Sequence, residues 1–339
     1  MRALVVRLSS IGDVVHTLPA LSALHRQGWE VDWLVEPPGL PLVEGNPLVA
    51  RTLALPRAGA LRLPLVRQTR RALRAAPADV ALDFQGLWKS ALWARLSGAP
   101  RVIGYRPAER KEGLSALLMT EQVRGQSDAT HVIDKNLALL APLGIVASGS
   151  REFPLPTPAL ARTTVDAGLA ALGLGDFAIL NPGGGWAGKL WPAAAFGALA
   201  RDLRARGLPC LVSWGPGEEA LADRVVAASE GAARRAFPTA LLDYLELARR
   251  ARLVVAGDTG PLHLACAVGT PVVALFGPTD PARNGPFAAA DLVVRRVPPC
   301  APCYRRGCSQ HAGVMSLIPV EEVTAAVERR LAAAGGERR

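Results

Sequence analysis

Residues 253–281 read LVVAGDTGPLHLACAVGTPVVALFGPTDP. An apolar run, Leu253–Ala256, ends in the turn Gly257-Asp258-Thr259-Gly260-Pro261. A helix-compatible stretch follows, and a second apolar run, Val272–Phe276, ends in the Gly/Pro-rich loop Gly277–Pro281. Runs this short and continuous describe strands buried on both faces, and a helix between two of them describes a parallel crossover unit. Pro261 suits the first helical position, where its missing N–H is no loss. Thr259 and Gly260 then bring a hydroxyl and backbone N–H groups to the positive end of that helix, a natural pyrophosphate site. Asp258 is placed to accept hydrogen bonds from sugar hydroxyls. A plain capped helix is the competing reading of the same residues.

The same alternation runs through the rest of the chain. In the first half the strand candidates are Arg2–Leu8, Val31–Val35 and Asp79–Phe84, with one helix expected from Asp13 to about Gln27. In the second half Phe177–Leu180 and Cys210–Trp214 join the two runs above. Between the halves, Ala147–Pro158 (ASGSREFPLPTP) resists both helix and strand and reads as a linker. The expectation is an α/β protein of two doubly wound domains, 1–155 and 156–339, facing each other across a central cleft, each long enough for its own core. A last helix from Val320 to about Ala334 is a candidate to cross back onto the first domain. Ligands of such sheets bind beyond the carboxyl ends of the strands.

Three further loops of this kind carry polar groups. Ser9-Ser10-Ile11-Gly12-Asp13 follows the first strand. Gly12 permits a tight turn, and Asp13 reads either as a helix-capping carboxylate or as a general base for a hydroxyl proton. His16, one turn on, reads more readily as a packed helix residue. Asn181-Pro182-Gly183-Gly184-Gly185 lets backbone N–H groups approach an anion, with Lys189 able to place a charge on a phosphate. A flexible loop with a solvated lysine is the alternative. Neither G-x-G-x-x-G nor G-x-x-x-x-G-K-[ST] is present, which argues against a dinucleotide dehydrogenase and a P-loop NTPase. In Trp214-Gly215-Pro216-Gly217-Glu218-Glu219, one carboxylate could bridge two ribose hydroxyls or only cap a helix. The choice between Glu218 and Glu219 is close.

These loops in this order resemble glycosyltransferase family 9, the ADP-heptose:lipopolysaccharide heptosyltransferases. The matching text is SSIGDVVHTLPAL (9–21), NPGGGWAGKLWP (181–192) and GDTGPLHLACAVGTPVVALFGPTDP (257–281), with DFQGLWKSALWARLSGAPRVIGY (83–105) and HVIDKNLALL (131–140) in the first half. The resemblance implies the GT-B architecture, an acceptor-binding half followed by a nucleotide-sugar half, and a metal-independent inverting transfer that needs no cofactor. On that basis Asp13 is the base and Lys189 the second catalytic group. Lys189, Thr259 and Gly260 stabilise the departing diphosphate. Gly184, Glu218 at the ribose, Asp258 at the sugar and His263 complete the donor set, although His263 could equally face the core. Leu241 or Leu242, the latter preferred, would contact the base. Ser10 and Gly12 fall on the acceptor side. A different nucleotide-sugar with another glycan acceptor, or a non-catalytic nucleotide-binding scaffold at the membrane, would keep the same fold.

The chain has 339 residues, 39 basic against 29 acidic and a formal charge of +10, yet only four lysines. Helix candidate Leu65–Ala76 puts Arg67, Arg70, Arg71 and Arg74 on one face. A solvated face is the default reading. In a transferase acting on a phosphorylated, lipid-linked saccharide, the stripe would instead meet acceptor phosphates or an anionic membrane surface. Arg106, Arg110 and Lys111 form a second basic candidate. Aromatic residues are only 5% and do not interleave with basic groups, so nucleic acid is not expected. Glycines and prolines interrupt the longest nearly uncharged stretch, 259–279, so no spanning helix is expected. No secretory signal is read, which points to a cytoplasmic enzyme at the inner membrane face. Five cysteines do not make a disulfide framework. Cys300-x2-Cys303-x4-Cys308-x2-His311 offers four zinc ligands. The sequence by itself favours a redox-labile or merely structural thiol cluster there, with no metal.

Overall fold

A computed structural model describes residues 1–56, 62–125, 131–146 and 151–337. Among them, the strands form two six-stranded sheets. The first contains β1 (Arg2–Val6), β2 (Glu30–Val35), β3 (Arg51–Ala54), β4 (Val80–Asp83), β5 (Arg101–Tyr105) and β6 (Glu121–Val123), in the order β3-β2-β1-β4-β5-β6. The second contains β7 (Ala178–Asn181), β8 (Cys210–Val212), β9 (Ala233–Arg235), β10 (Leu253–Gly257), β11 (Val272–Phe276) and β12 (Leu292–Arg295), in the order β12-β11-β10-β7-β8-β9. Every pairing is parallel. Read from its first strand, each sheet has the doubly wound order, which reverses between β1 and β4 and between β7 and β10. Chain topology opens a crevice at such a reversal.

The central strands β4, β10 and β11 are buried along their whole length, as parallel strands covered on both faces must be. The core of the first unit holds Trp33, Phe84 and Trp93, and that of the second holds Phe177, Trp191, Phe196 and Phe276, all almost fully enclosed. Trp191 meets Phe196 edge-on at 4.8 Å, and its Nε1 donates to the Ile318 carbonyl at 3.1 Å. That bond ties the end of the Gly183–Lys189 loop to the C-terminal segment. Helix Val320–Glu337 packs Val323, Ala326 and Val327 into the core of the second unit.

The chain divides into compact units Met1–Pro156 and Thr157–Arg339. Of the expected linker, residues 147–150 lie outside the described residues, and Arg151–Pro158 carries no helix or strand. The single helix expected from Asp13 to Gln27 is two, Ile11–Val15 and Leu18–Arg26. Pro19 is the cause: it cannot donate into a continuing helix, and it sits in the first turn of the second one. The basic helix is Leu63–Arg74. Among the described residues no helix is long and apolar enough to cross a membrane.

Candidate active site

In the first unit the site is built on the loop after β1. Ser10 is the N-cap of helix Ile11–Val15 and Asp13 is its third residue. Asp13 Oδ2 accepts from both the Ser10 backbone N–H and the Ser10 hydroxyl, at 3.0 Å each. Its Oδ1 pairs with Arg7 Nη2 at 3.2 Å. Arg7 directly follows β1 and is itself buried; Nη1 donates to the Phe84 carbonyl after β4 at 2.5 Å, and Nε to the Asp13 carbonyl at 3.3 Å. Gln85 Oε1 accepts from the Leu8 and Ser9 N–H groups, pinning the start of the loop. Asp13 is therefore both a capping carboxylate and an oriented one, with 38% of its side chain exposed. Gly12 is buried beneath it. His16 is also buried and meets His131 edge-on at 5.7 Å, as a packed residue does.

Arg67 and Arg70 are exposed on helix Leu63–Arg74, and Arg106 and Lys111 are exposed after β5. Arg110 does not join them. Its guanidinium is enclosed, paired with Asp83 at 2.5 Å and donating to Ser115 Oγ at 2.8 Å, so it pins β4 to the chain after β5.

In the second unit three loops converge on Asp258, which follows β10. Lys189, from the loop after β7, forms an ion pair with Asp258 Oδ2 and also donates to the Asp258 carbonyl at 3.3 Å. Thr279 Oγ1 donates to Oδ2 at 2.8 Å, and Asn284 Nδ2 to Oδ1 at 2.6 Å, both from beyond β11. His263 Nε2 stands 3.5 Å from Oδ1, so His263 faces this carboxylate from one turn into helix Gly260–Ala267. Burial by itself would raise the Asp258 pKa. The hydrogen bond from His263 and the charges of Lys189 and His263 outweigh it and hold the carboxyl well below the usual range.

Lys189 is also positioned from its other side. Its Nζ lies 4.1 Å from the centre of the Trp186 ring, within cation–π range. Gly257 admits this close approach, because a Cβ there would stand 3.1 Å from the Lys189 carbonyl oxygen. Gly184 is equally tight: its Cβ would stand 2.7 Å from Leu190 Cδ2. Thr259 is the N-cap of helix Gly260–Ala267, and its enclosed Oγ1 has no hydrogen-bond partner among the described residues. An enclosed hydroxyl without a partner, next to the free N–H groups of a helix start, suits an anionic oxygen. Glu218 accepts from the Gly215 N–H at 2.9 Å and lies against Gly183, where any side chain would overlap its carboxylate. Leu242 is half-buried in the first turn of helix Leu241–Arg250, which Tyr244 ties to the Pro261 carbonyl at 3.2 Å.

Lys189, Asp258, Thr259, Gly260 and His263 are thus gathered at one switch point, while Ser10, Gly12 and Asp13 are gathered at the other. Asp258, expected at the sugar, has its oxygens occupied by the residues that surround Lys189. Arg7, Thr279, Asn284 and Trp186 escaped assignment from sequence. Only Arg7 left a signal there, as a charge at the end of an otherwise apolar strand.

The profile described as glycosyltransferase family 9 (heptosyltransferase) matches residues 66–312. A lipopolysaccharide heptosyltransferase 1 of Pseudomonas aeruginosa is 31% identical over 326 residues, covering 91% of this chain and 88% of the relative. Among solved structures, the E. coli heptosyltransferase WaaC with ADP superimposes with a TM-score of 0.78 at 24% identity, over 97% of this chain and all of that one. The same E. coli enzyme with ADP-2-deoxy-2-fluoro heptose gives 0.76 at 25% identity, over 97% of this chain and 99% of that one. These matches carry the two-sheet, GT-B architecture found here.

Proposed function

The chain belongs to glycosyltransferase family 9, and from that membership we propose that it moves a heptose from an ADP-activated donor to a lipopolysaccharide core or related lipid-linked acceptor. The observation that carries the reading is the Lys189 ammonium, held between Asp258 and the Trp186 ring in the loop after β7. A positioned cation next to the start of helix Gly260–Ala267, with the Thr259 hydroxyl unpartnered among the described residues, matches the charge of a nucleoside diphosphate.

The chemistry is a single displacement. The acceptor hydroxyl oxygen attacks the anomeric carbon, Asp13 takes its proton, and the bond to the diphosphate oxygen breaks. Inversion follows from attack opposite the leaving group. Charge growing on that oxygen is met by Lys189, Thr259 and the Gly260 N–H, so the step needs no divalent cation. Glu218 serves the ribose, Leu242 the base and His263 the phosphates. On the acceptor side, exposed Arg67, Arg70, Arg106 and Lys111 accompany exposed Trp88, Leu114 and Leu117 in the first unit. That mixture of cations and apolar side chains suits a phosphorylated amphiphile at the cytoplasmic face of a membrane.

Calorimetry with ADP, UDP and GDP, alongside a transfer assay with ADP-heptose and a heptose-free lipid-linked core, tests the reading. The expected result is a preference for ADP and turnover that does not rise with added Mg²⁺ or Mn²⁺. Equal affinity for the three nucleotides with no transfer would sink it.

A further inference from the structure

Residues 299–313 contain only one short 3-10 turn, Ser309–His311, and just two of them, Cys303 and His311, are buried. A segment with so little apolar burial and no ladder of backbone hydrogen bonds needs another source of order. The four groups Cys300, Cys303, Cys308 and His311 bring one potential ligand atom each to within 4.8 Å of one another. All five cysteines of the chain are free thiols. The Cδ2–Nε2 edge of the His311 ring lies against Gly188, where a Cβ would stand 3.0 and 3.1 Å from those two atoms. Opposite that edge, Nδ1 is enclosed and has no hydrogen-bond partner among the described residues. Three thiols and an orphaned imidazole nitrogen make four donors, the number and softness that suit tetrahedral zinc.

We propose that Cys300, Cys303, Cys308 and His311 bind a structural zinc ion that braces the loops around Lys189. Tetrahedral zinc places thiolate sulfurs about 3.8 Å apart, a small contraction of the present cluster. Binding releases the three thiol protons to solvent and leaves no position open for catalysis.

The bracing follows from where the segment touches the rest of the second unit. His311 packs on Gly188, next to Lys189 and within reach of Trp186. The Cys303 N–H donates to the Pro278 carbonyl at 2.8 Å, just before Thr279. Tyr304 stacks under Arg283 at 4.9 Å, next to Asn284. One small metal-centred knot therefore supports the loops that supply Lys189, Thr279 and Asn284 to Asp258. This second element rests on the nucleotide-sugar reading of Lys189, whereas the metal site does not.

The test begins with metal analysis of protein purified without added metal or chelator. About one zinc per chain is expected, with replacement by Co²⁺ giving thiolate-to-cobalt charge-transfer and tetrahedral d–d absorption. Cys308→Ala and His311→Ala should lose the metal, while His311→Cys, which restores a four-sulfur set, should keep it. Zinc-stripped protein should bind ADP about ten-fold more weakly. Metal-free protein that takes up no Co²⁺ overturns the site, as does iron in place of zinc. Three rather than five titratable thiols in denatured, unreduced protein would reveal a disulfide and also overturn it. Full zinc occupancy with ADP affinity unchanged on stripping overturns the bracing alone.

Discussion

Each sheet carries an ion pair at its switch point, and the two pairs are built in opposite senses. In the first unit the cation is the hidden member: the Arg7 side chain is 6% exposed and Asp13 38%. In the second the anion is hidden: Asp258 is 5% exposed and Lys189 12%. Arg7 is locked by the Phe84 carbonyl just after β4 and the Asp13 carbonyl in the helix beyond β1, and turns a carboxylate outward. Asp258 is locked by Thr279 and Asn284 and holds an ammonium. Identical strand order thus turns a carboxylate outward in one unit and holds an ammonium in the other. The choice lies in which partner the surrounding hydrogen bonds claim. A third pair, Asp83 with Arg110, shows the limit, with both members fully enclosed and nothing presented.

The sharpest way to break the comparison is to neutralise the outward member of the first pair. Asp13→Asn should lower kcat by about 10²–10⁴-fold, with ADP affinity and urea stability close to those of the unaltered protein. Steady-state kinetics beside calorimetry reads both. Near-normal turnover would remove Asp13 as the base.

Neutralising the hidden member of the second pair should act first on stability. Asp258→Ala leaves Lys189 without its anion and three donors without an acceptor, and should cost about 3–5 kcal/mol in urea unfolding. The pH dependence has a fixed sign. Asp258 has a folded pKa below its unfolded value, so its stabilisation is fully present above about pH 4–5 and erodes as pH falls further. Asp258→Asn should flatten that acid limb, and an unchanged limb would show that the carboxylate is not held as described.

Lys189→Gln should raise the Kd for ADP about 10–100-fold, the loss of a charge-assisted contact. Its stability cost should be smaller than that of Asp258→Ala, because Thr279 and Asn284 still satisfy the carboxylate. The smallest expected effect lies away from both pairs. Arg67→Gln with Arg70→Gln should weaken binding to anionic vesicles by about 1 kcal/mol per residue and leave ADP affinity alone. Vesicle sedimentation at two salt concentrations measures it.

Sequence legibility followed burial. Central strands β1, β4, β7, β10 and β11 carry apolar runs and are readable as such, and β2 is readable although the buried Asp32 interrupts it. Edge strands β3, β6 and β9 are short and carry Arg51, Glu121 and Arg234 with Arg235, so no apolar run marks them, and the run in β12 is only Leu292-Val293-Val294 before Arg295. β5 is interior but broken by Gly104, where a Cβ would stand 2.5 Å from Met119 Sδ and 2.6 Å from Arg110 Nη1. Charges in glycine-bearing loops after strands exposed Asp13, Lys189 and Asp258 to inspection. Thr279 and Asn284 matter only because folding brings them to Asp258 from 21 and 26 residues away. Arg110, read as part of a surface patch, belongs inside because Asp83 waits at the end of β4.

The bond from Trp191 to the Ile318 carbonyl spans 127 residues. It sets a timetable during synthesis, when a chain emerges N-terminus first and its domains fold as units. The hydrogen bonds described for the Arg7–Asp13–Gln85 cluster all join residues of the first unit, so they can form while the second is still being made. The loop that bears Lys189 gains this anchor only when the segment around Ile318 has emerged. A nascent chain would therefore settle the proposed base, Asp13, before the proposed anion receptor around Lys189.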